Sequence, residues 1–437
     1  MNMISRMLGL VIILGSFHGI TRSQEWDQHL RLLLLDEQFD SVLQITNTID
    51  VADSLQNRLF YYRGKSYQSL FKFDSAYANY FKASKADTLS MTYLVATGQM
   101  LARLGRTREA IDVYEDLRRR FQIGDQHMAE LANLYTLRSR HSESLKIYLE
   151  LLEMDPQNYY YLKQAGKCYQ QMNRTDSTLA CFKTASELNP ADAYLTSQIA
   201  NIYLKRKDLE NALFHIQSGF VYDTSNLDLL KLRGYIWLLK GEYQMAIWDL
   251  EKARKQDSSS VFIQKYLGLS YHEENMLDQA REALLIAYQL DSLDAETAYF
   301  LGSSCRWSGH EDQGVYYYNK AIELQQPDPK EIKKVYLQLA ELYKVLHRFD
   351  EALASYQQAV EYDPSDNAIY YKIGQMYDRN LNEKKTAIRY YEKYLAGDIT
   401  DHQLFEAEEG RSQALRPYVE HRINELKEEL FFENQLP

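Results

Sequence analysis

The stretch FDEALASYQQAVEYDP, which runs from Phe349 to Pro364, places one large aromatic residue between two small ones. Ala352, Tyr356 and Ala359 follow each other at the spacings of one helix face, so all three would point in the same direction. Pro364 comes soon afterwards, where a helix cannot continue. The same arrangement recurs earlier, in FDSAYANYFKA (Phe73–Ala83), GEYQMAIWDLEKA (Gly241–Ala253) and MLDQAREALLIA (Met276–Ala287). The chain therefore repeats a helical packing unit.

A second feature gives the length of the unit. A small residue precedes an aromatic residue by three positions in most units, as Gly234 precedes Trp237, and the small residues stand at 64, 98, 132, 166, 200, 234, 268, 302, 340 and 374. Every step is 34 residues long except one of 38. We interpret these residues as crossing points, because only a small side chain fits where two helix backbones approach closely. We expect the aromatic residue one turn later to fill the space beside each crossing.

Each unit contains two stretches with helical periodicity, separated by a short polar turn such as RLGRT, Arg103–Thr107. This arrangement predicts antiparallel helical hairpins, with Pro156, Pro190 and Pro364 at the same phase between them. A period of 34 residues built from two helices resembles the tetratricopeptide repeat. The resemblance implies an all-α fold: a right-handed superhelical solenoid of about eleven antiparallel hairpins, closed by a C-terminal capping helix.

The pattern divides the chain of 437 residues into four parts. Residues 1–23 resemble a secretory signal peptide, with Arg6 before an apolar run from Met7 to about Phe17. A degenerate first repeat follows at 24–56, and a tandem array at 57–401 contains a Pro-rich insertion at 324–330, between two hairpins. Residues 402–437 are expected to form the capping helix, with a kink at Pro417. The alternative to cleavage is an uncleaved membrane anchor, but the apolar run is well short of the ~20 residues that span a bilayer.

The predicted signal peptide implies export. A mature start at Gln24 resembles exported proteins of the Bacteroidota, so we expect a periplasmic or outer-membrane associated protein with no membrane span after cleavage. Three cysteines are too few for a disulfide framework or a metal site, and Cys305 occupies a core position of the repeat. Cys168 and Cys181 lie in the two helices of one hairpin, so a bond between them stays open.

The sequence favours no catalytic chemistry. Gly64-Lys65-Ser66 matches the end of a phosphate-binding loop, but Leu59 stands where the first glycine is required. The histidines do not form a helical metal-ligand pair, and neighbouring carboxylates such as Glu273 and Glu274 point apart on a helix. A net charge of −11 without a long basic stripe argues against nucleic acid. We therefore expect no enzyme activity, no cofactor and no metal.

The resemblance also implies a binding surface, because the leading helices of such repeats line a concave groove. Tyrosines would give rigid apolar area, and lysines would meet a carboxylate-bearing peptide. The alternative is a solvated face with no ligand. Lys163, Asn201 and Lys231 match only part of the carboxylate clamp of the chaperone-binding members. The candidate groove residues are Tyr160, Lys163, Lys167, Tyr194, Asn201, Lys231, Tyr235, Lys265, Tyr266, Tyr299 and Arg306.

These features predict a non-catalytic scaffold or adaptor of the bacterial cell envelope that binds a protein or peptide in the groove. Two alternatives remain open. Stacked tyrosines and an exported address also fit a glycan or peptidoglycan binding module, and the same fold fits a regulatory subunit of an envelope enzyme or sensor. The sequence leaves the partner and the oligomeric state undetermined.

Overall fold

The computed structural model describes residues 19–49, 55–324, 329–397, 404–406 and 412–433. The described chain is almost entirely helical, which confirms the all-α prediction. The helices form consecutive antiparallel pairs, each with a leading and a trailing helix: α1 Gly19–Leu35 and α2 Phe39–Thr48, α3 Gln56–Ser69 and α4 Phe73–Ala86, α5 Met91–Arg103 and α6 Thr107–Arg120, α7 Asp125–Leu137 and α8 His141–Met154, α9 Tyr159–Gln171 and α10 Thr175–Leu188, α11 Ala193–Lys205 and α12 Leu209–Phe220, α13 Leu227–Leu239 and α14 Tyr243–Gln256, α15 Val261–Glu273 and α16 Leu277–Leu290, α17 Ala295–Trp307 and α18 Glu311–Leu324, α19 Pro329–Val345 and α20 Phe349–Tyr362, α21 Asn367–Gln375 and α22 Lys384–Leu395.

Three further elements complete the described chain. A π-helical turn, Met376–Asn380, follows α21 directly, and a last helix, α23, spans Leu415–Glu433. Strands β1 (Leu404–Glu406) and β2 (Ser412–Ala414) pair antiparallel before that helix. The chain divides into two compact units, unit 1 ending at Leu195 and unit 2 beginning at Thr196. Each unit is described by itself below.

The turn inside each hairpin has a common geometry. One residue of every such turn adopts a left-handed backbone, and the next amide donates back to the leading helix, as Arg106 does to the Leu101 carbonyl at 2.9 Å. This closes the helix by satisfying carbonyls that its last turn would leave unpaired. The polar turn predicted at RLGRT is confirmed, because α5 ends at Arg103 and α6 begins at Thr107. The left-handed residues are Glu37, Phe71, Gly105, Ser139, Asn173, Lys207, Gly241, Asn275, Gly309, His347 and Asn382.

The small residues of the repeat lie at helix crossings, as predicted, but a different residue fills the adjacent space. A Cβ atom added to Gly268 would stand 2.5 Å from Cγ of Leu284, and one added to Gly166 would meet the ring of Phe182. The filling side chain therefore comes from the trailing helix of the same hairpin. The aromatic residue one turn after the glycine lies in the same buried cluster and also contacts the preceding hairpin, as Tyr271 shows by donating its hydroxyl to Glu251. The atoms nearest the crossing therefore belong to the trailing helix, where we expected that aromatic residue.

The long step of the repeat lengthens a helix. Helix α19 has 17 residues, against 13 in α17, and its added residues extend the N-terminus. We expected residues 324–330 to lie between two hairpins, but the helix begins at Pro329, a residue whose fixed φ suits the first helical position. Residues 325–328 of the predicted insertion lie outside the described residues.

The last helix packs on the last hairpin. Val419, Ile423 and Leu426 of α23 are buried in one cluster with Tyr391 and Tyr394 of α22. This supports the predicted capping role within unit 2. The helix begins at Leu415, after the two strands, so Pro417 lies in its first turn, where proline is tolerated, and the expected kink is absent from α23.

A charged network also fixes α23 to the π-helical turn. The Arg422 guanidinium donates two hydrogen bonds to the buried Asp378 carboxylate, at 2.8 and 2.9 Å. Tyr391 donates to the same carboxylate at 3.1 Å. The hydrogen bonds to Asp378 are the largest contribution to the raised pKa of Arg422. A bidentate pair of this kind is worth more than an exposed ion pair because it is partly removed from water.

Several predictions fall at the edges of the described chain. The signal peptide at 1–23 lies largely outside the described residues, so its cleavage stays a prediction. Among the helices that the structure describes, none is long and apolar enough to cross a bilayer. Cys168 and Cys181 are free thiols rather than a disulfide, and Cys168 contacts Ser144 of the preceding hairpin at 3.4 Å. Cys305 is buried, as predicted, and burial raises the pKa of its thiol to about 11.

Candidate functional site

The leading helices of unit 2 form a continuous surface. Helices α13, α15, α17 and α19 each contact their own trailing helix, and each of the first three also contacts the next leading helix of this series. Direct contact between leading helices places their non-core positions side by side. We call this surface the leading-helix face of unit 2.

Three aromatic rings meet on this face, and we call them the aromatic patch: Tyr235, Phe262 and Tyr266. The Tyr266 ring centroid lies 4.5 Å from those of both Tyr235 and Phe262, and the other two are 5.9 Å apart. All three side chains are half-buried, so part of each ring stays open to a ligand. Burial raises the pKa of Tyr266, which keeps its hydroxyl neutral. Tyr235 and Tyr266 were predicted site residues, whereas Phe262 was missed, although it lies one helical turn before Tyr266 on the same face.

The two lysines beside the patch differ in their partners. Lys265 lies 2.6 Å from a carboxylate oxygen of Asp294 and 2.7 Å from one of Glu296, both at the start of α17. Burial lowers the pKa of Lys265, but these two carboxylates outweigh burial and leave the pKa raised. The Lys231 ammonium lies 5.5 Å from the Phe262 ring, and its carboxylate neighbour, the exposed Asp228, is 3.9 Å away. Lys231 is therefore the better placed of the two to meet a ligand.

The other predicted residues of unit 2 are held by local contacts. The Tyr299 ring lies 5.7 Å from Tyr318, and the Lys334 ammonium stands 4.7 Å from it. Arg306 donates to the side-chain oxygen of Gln338 at 2.7 Å and lies over the Trp307 ring. Asn201 is half-buried on α11. These residues do not join the aromatic patch through any ring contact, hydrogen bond or ion pair of the described chain.

Unit 1 contains four predicted residues, and it brings three of them together on α9 and at the start of α11. The ammonium groups of Lys163 and Lys167 lie 5.1 and 5.0 Å from the centroid of the half-exposed Tyr194 ring. Lys163 also pairs with Asp192 and donates to the Tyr159 hydroxyl at 3.1 Å.

These contacts give the two lysines opposite pKa shifts. Burial lowers the pKa of Lys163, but the hydrogen bonds to Asp192 and Tyr159 outweigh burial and leave it raised. Burial, together with the neighbouring charge of Lys163, lowers the pKa of Lys167. Among the described residues, Lys167 has no carboxylate within ion-pair distance. Lys163 is therefore already paired within the protein, and its role as a binding residue stays a prediction, as does that of Lys167.

Tyr160, the fourth of these residues, borders an open cleft of about 790 Å³ on the leading helices of unit 1. Its hydroxyl lies 2.9 Å from the amide nitrogen of Asn133, whose oxygen accepts from Tyr148 at 2.6 Å. The Asn133 side chain is thereby fixed in orientation by two tyrosines. The wall of the cleft is a mixture of polar and apolar groups, and it consists of Gln99, Ala102, Arg103, Gln126, Ala129, Glu130, Asn133, Tyr160 and Tyr161.

The metal-ligating side chain types are scattered over the described residues. Within these ranges, no three His, Cys, Asp or Glu side chains are placed to hold a metal ion. His272 is one example of an isolated polar group: its Nε2 lies 2.9 Å from the Ser303 hydroxyl, and its ring lies against Phe300. What the surface offers is aromatic area and lysine charge.

A tandem array of antiparallel helical hairpins with a 34-residue period defines a helical repeat protein. Family models of the tetratricopeptide repeat match residues 64–159 and 368–396, and a model described as TPR repeat matches residues 340–380. The chain is a tetratricopeptide repeat (TPR) protein. Repeats of this fold typically form non-enzymatic scaffolds, which suggests a role in protein interaction.

Comparison with curated proteins gave no match. Among solved structures, the chain is similar to MamA, with 24% identity, a TM-score of 0.36, and 39% of this chain and 90% of that one covered. It is also similar to YrrB, described as a TPR protein with an unusual peptide-binding site, with 18% identity, a TM-score of 0.37, and coverage of 41% and 92%. A third is the C-terminal part of a TPR repeat-containing protein from Cytophaga hutchinsonii, with 17% identity, a TM-score of 0.43, and coverage of 55% and 97%.

Proposed function

We propose that this TPR protein is a non-catalytic scaffold that binds a segment of another protein on the leading-helix face of unit 2. The observation that carries the proposal is the aromatic patch, where Tyr235, Phe262 and Tyr266 are packed together and remain half-exposed. Aromatic residues are enriched at protein interfaces and dominate their binding energy, because they bury a large rigid area at low entropic cost.

The surroundings of the patch restrict the segment that it would bind. An apolar side chain would cover the rings, and an acidic side chain next to it would approach Lys231. Lys265 pairs with both Asp294 and Glu296 but neutralises only one of these two carboxylates, so the preference for an acidic segment rests on Lys231. The expected ligand is therefore a short segment with an apolar anchor beside a carboxylate.

The cell envelope is part of the same proposal, and it rests on the N-terminal sequence alone. Fractionation of cells followed by N-terminal sequencing of the protein would test it. We expect an extracytoplasmic protein that starts at Gln24. A cytoplasmic protein that retains residues 1–23 would contradict the location without affecting the patch.

The patch itself is tested by crosslinking in cells and mass spectrometry, with a Tyr235→Ala/Tyr266→Ala double variant. The matched control is Tyr222→Ala/Tyr316→Ala, which removes two exposed tyrosines of unit 2 outside the patch. We expect a discrete protein partner that the first variant loses and the control retains. A partner retained by both variants would contradict the proposal.

Adjacent tyrosine rings also make a glycan a second candidate ligand. Sugars stack on flat exposed ring faces, whereas the Tyr235 and Tyr266 rings are tilted by 51° and face one another. This geometry favours a side chain that inserts at the ring edges. Binding of soluble cell-wall saccharides would raise the melting temperature of the protein, and such a rise would move the proposal to a glycan.

A further inference from the structure

A second surface lies in unit 1, away from the leading helices. A crevice of about 260 Å³ opens between the start of α6 and the α7–α8 turn, and its lining consists of Arg108, Ile111, Asp112, Arg138 and Arg140. Three guanidinium groups therefore surround one carboxylate. The crevice shares no residue with the leading-helix surfaces described above.

Arg108 occupies a position that is acidic in most other trailing helices. Negative charge is favoured in the first turn of a helix, because the helix dipole places partial positive charge there, and a cation is disfavoured. Ser142 in α8 and Gln244 in α14 are neutral at this position, and Lys385 follows Lys384 in α22, where Lys384 is paired with Glu429 at 2.9 Å. The acidic second residues of the other trailing helices are Asp40, Asp74, Asp176, Glu210, Asp278, Asp312 and Asp350.

Arg140 has a structural explanation. It precedes the first residue of α8, donates to Glu143 at 2.8 Å and lies 4.5 Å from the Tyr135 ring. Arg348 in unit 2 has the same two contacts at the same position of its hairpin, with Glu351 at 2.9 Å and the Tyr343 ring at 4.8 Å. A contact set that recurs in a second hairpin belongs to the repeat itself.

Arg108 and Arg138 have no such explanation. Both side chains are exposed, and neither forms an ion pair or a ring contact within the described part of the chain. Arg108 is also unfavourably placed at a helix N-terminus. A residue that breaks a local rule without a compensating contact marks a functional position in many proteins.

We propose that this crevice binds an acidic segment of a partner protein, whose carboxylates are held by Arg108 and Arg138. The planar guanidinium group matches a carboxylate with two parallel hydrogen bonds, and Ile111 gives apolar contact for the rest of the segment. Asp112 in the wall opposes a doubly charged phosphate more than a singly charged carboxylate. In a chain of net charge −11, a local positive site of this kind directs an acidic segment to one place.

The test uses the full-length protein and a fluorescein-labelled, N-acetylated octaglutamate peptide, with fluorescence anisotropy as the readout. The variant Arg108→Gln/Arg138→Gln should weaken binding by roughly tenfold or more, because two charge-assisted contacts are lost. The matched control, Lys146→Gln/Lys255→Gln, removes the same charge from two exposed lysines without ion pairs in the described chain, and it should weaken binding by less than about twofold. Equal losses in the two variants, or no loss in either, would overturn the proposal.

Two further arms separate the alternatives. Inorganic phosphate that displaces the peptide at lower concentrations than glutamate does would assign the crevice to phosphate and overturn the acidic segment. The Tyr235→Ala/Tyr266→Ala variant should bind octaglutamate as the native protein does, so failure of this site and failure of the aromatic patch are distinguishable. Loss of octaglutamate binding in that variant would overturn the assignment to the crevice.

A second variant tests the cost of Arg108 to its own helix. Arg108→Asn removes the cation from the first turn of α6 without placing a like charge one helical turn before Asp112, so it should not lower the melting temperature, while it weakens octaglutamate binding. A protein that is at least as stable but weaker in binding would show that Arg108 serves the ligand rather than its helix. A lower melting temperature, or retained binding, would contradict the inference.

Discussion

Two neighbouring hairpins of unit 2 place a lysine at the same position with different results. Lys231 in α13 and Lys265 in α15 each stand three residues before a crossing glycine. Lys265 is paired with Asp294 and Glu296, whereas Lys231 has only the exposed Asp228 at 3.9 Å. The difference comes from the start of the next leading helix, where Asp294 follows Lys265 by the same interval as Asp192 follows Lys163, 29 residues. The corresponding residue after Lys231 is Ser260.

The comparison distinguishes a lysine that stabilises the fold from a lysine that is available to a ligand. A lysine with an aspartate 29 residues later forms an ion pair that joins two consecutive hairpins, so its charge is neutralised within the protein. A lysine without that aspartate keeps its charge available, and Lys231 does so beside the aromatic patch. We therefore expect ligand binding where a lysine of this series lacks the aspartate 29 residues later.

The largest expected effect is a loss of stability at the crossing glycine, which both hairpins contain. Gly234→Leu and Gly268→Leu should each reduce the free energy of unfolding by about 1 to 3 kcal/mol through overpacking. A Cβ atom would stand 2.7 Å from Leu250 in the first hairpin and 2.5 Å from Leu284 in the second. Urea unfolding of both variants measures the loss. An unchanged midpoint in either would mean that its crossing is not the close contact described.

A smaller effect separates the two lysines. Asp294→Asn should reduce the free energy of unfolding by about 1 to 2 kcal/mol, because it leaves the largely buried Lys265 with one carboxylate fewer. Asp228→Asn should change it by less than about 0.5 kcal/mol, since Asp228 is 76% exposed. A double-mutant cycle of each aspartate with its lysine isolates the pair energy. Equal coupling in the two cycles would contradict the distinction.

One substitution should give Lys231 the ion pair that it lacks. Ser260→Asp gives Lys231 the aspartate that Lys265 has, and aspartate is as good a helix N-cap as serine. We expect stability to rise by less than about 1 kcal/mol and yield of the crosslinked partner to fall. Calorimetry and quantitative mass spectrometry measure the two changes. An unaltered crosslink yield would show that the charge of Lys231 has no part in binding.

The smallest effect is the pH dependence of the paired lysine. Burial raises the pKa of Asp294, but hydrogen bonds from Lys265 and Thr297 outweigh it and leave the pKa lowered. A lowered pKa adds stability above the unfolded-state value of about 3.9, and this stability is lost as the pH falls through the folded-state pKa. The raised pKa of Lys265 adds stability that is present below about 10.4 and lost above it.

The penalty of Asp294→Asn should therefore be constant between about pH 5 and pH 9 and should shrink in acid. Urea unfolding of the native protein and the variant at each pH measures it. A penalty that is unchanged at pH 3 would mean that the carboxylate charge does not stabilise this junction.

Periodicity predicted the fold because each hairpin packs only on its neighbours. The crossing residues Gly166, Gly234 and Gly268, and the turn at Gly105, follow from local rules. The side chains that contact these glycines could not be predicted from local rules. Leu284 and Phe182 belong to the trailing helix, and their positions depend on packing between helices. Helix α19 also starts earlier than expected, because the added residues continue a helix that Pro329 can begin.

The candidate site was predicted only in part. Tyr235 and Tyr266 were predicted because tyrosines and polar residues at groove positions were interpreted as binding residues. Phe262 lies on the same face but was missed, because phenylalanine was not included in that interpretation. The pairing of Lys163 and Lys265 depends on the next hairpin, although the 29-residue interval to an aspartate is visible in the sequence. Arg108 was also missed, because its positive charge is unusual only in comparison with the acidic residues at the same position of the other hairpins.

The central claim is that a protein segment lies on the aromatic patch. The most direct measurement places a photocrosslinking residue at the patch, as Phe262→p-benzoylphenylalanine, and at a control site, as Tyr316→p-benzoylphenylalanine, in cells that express the full-length protein. The account predicts a discrete protein adduct from position 262 that is absent at position 316 and is lost when Tyr235→Ala and Tyr266→Ala are added. The same adduct from both positions, or none from position 262, would contradict it.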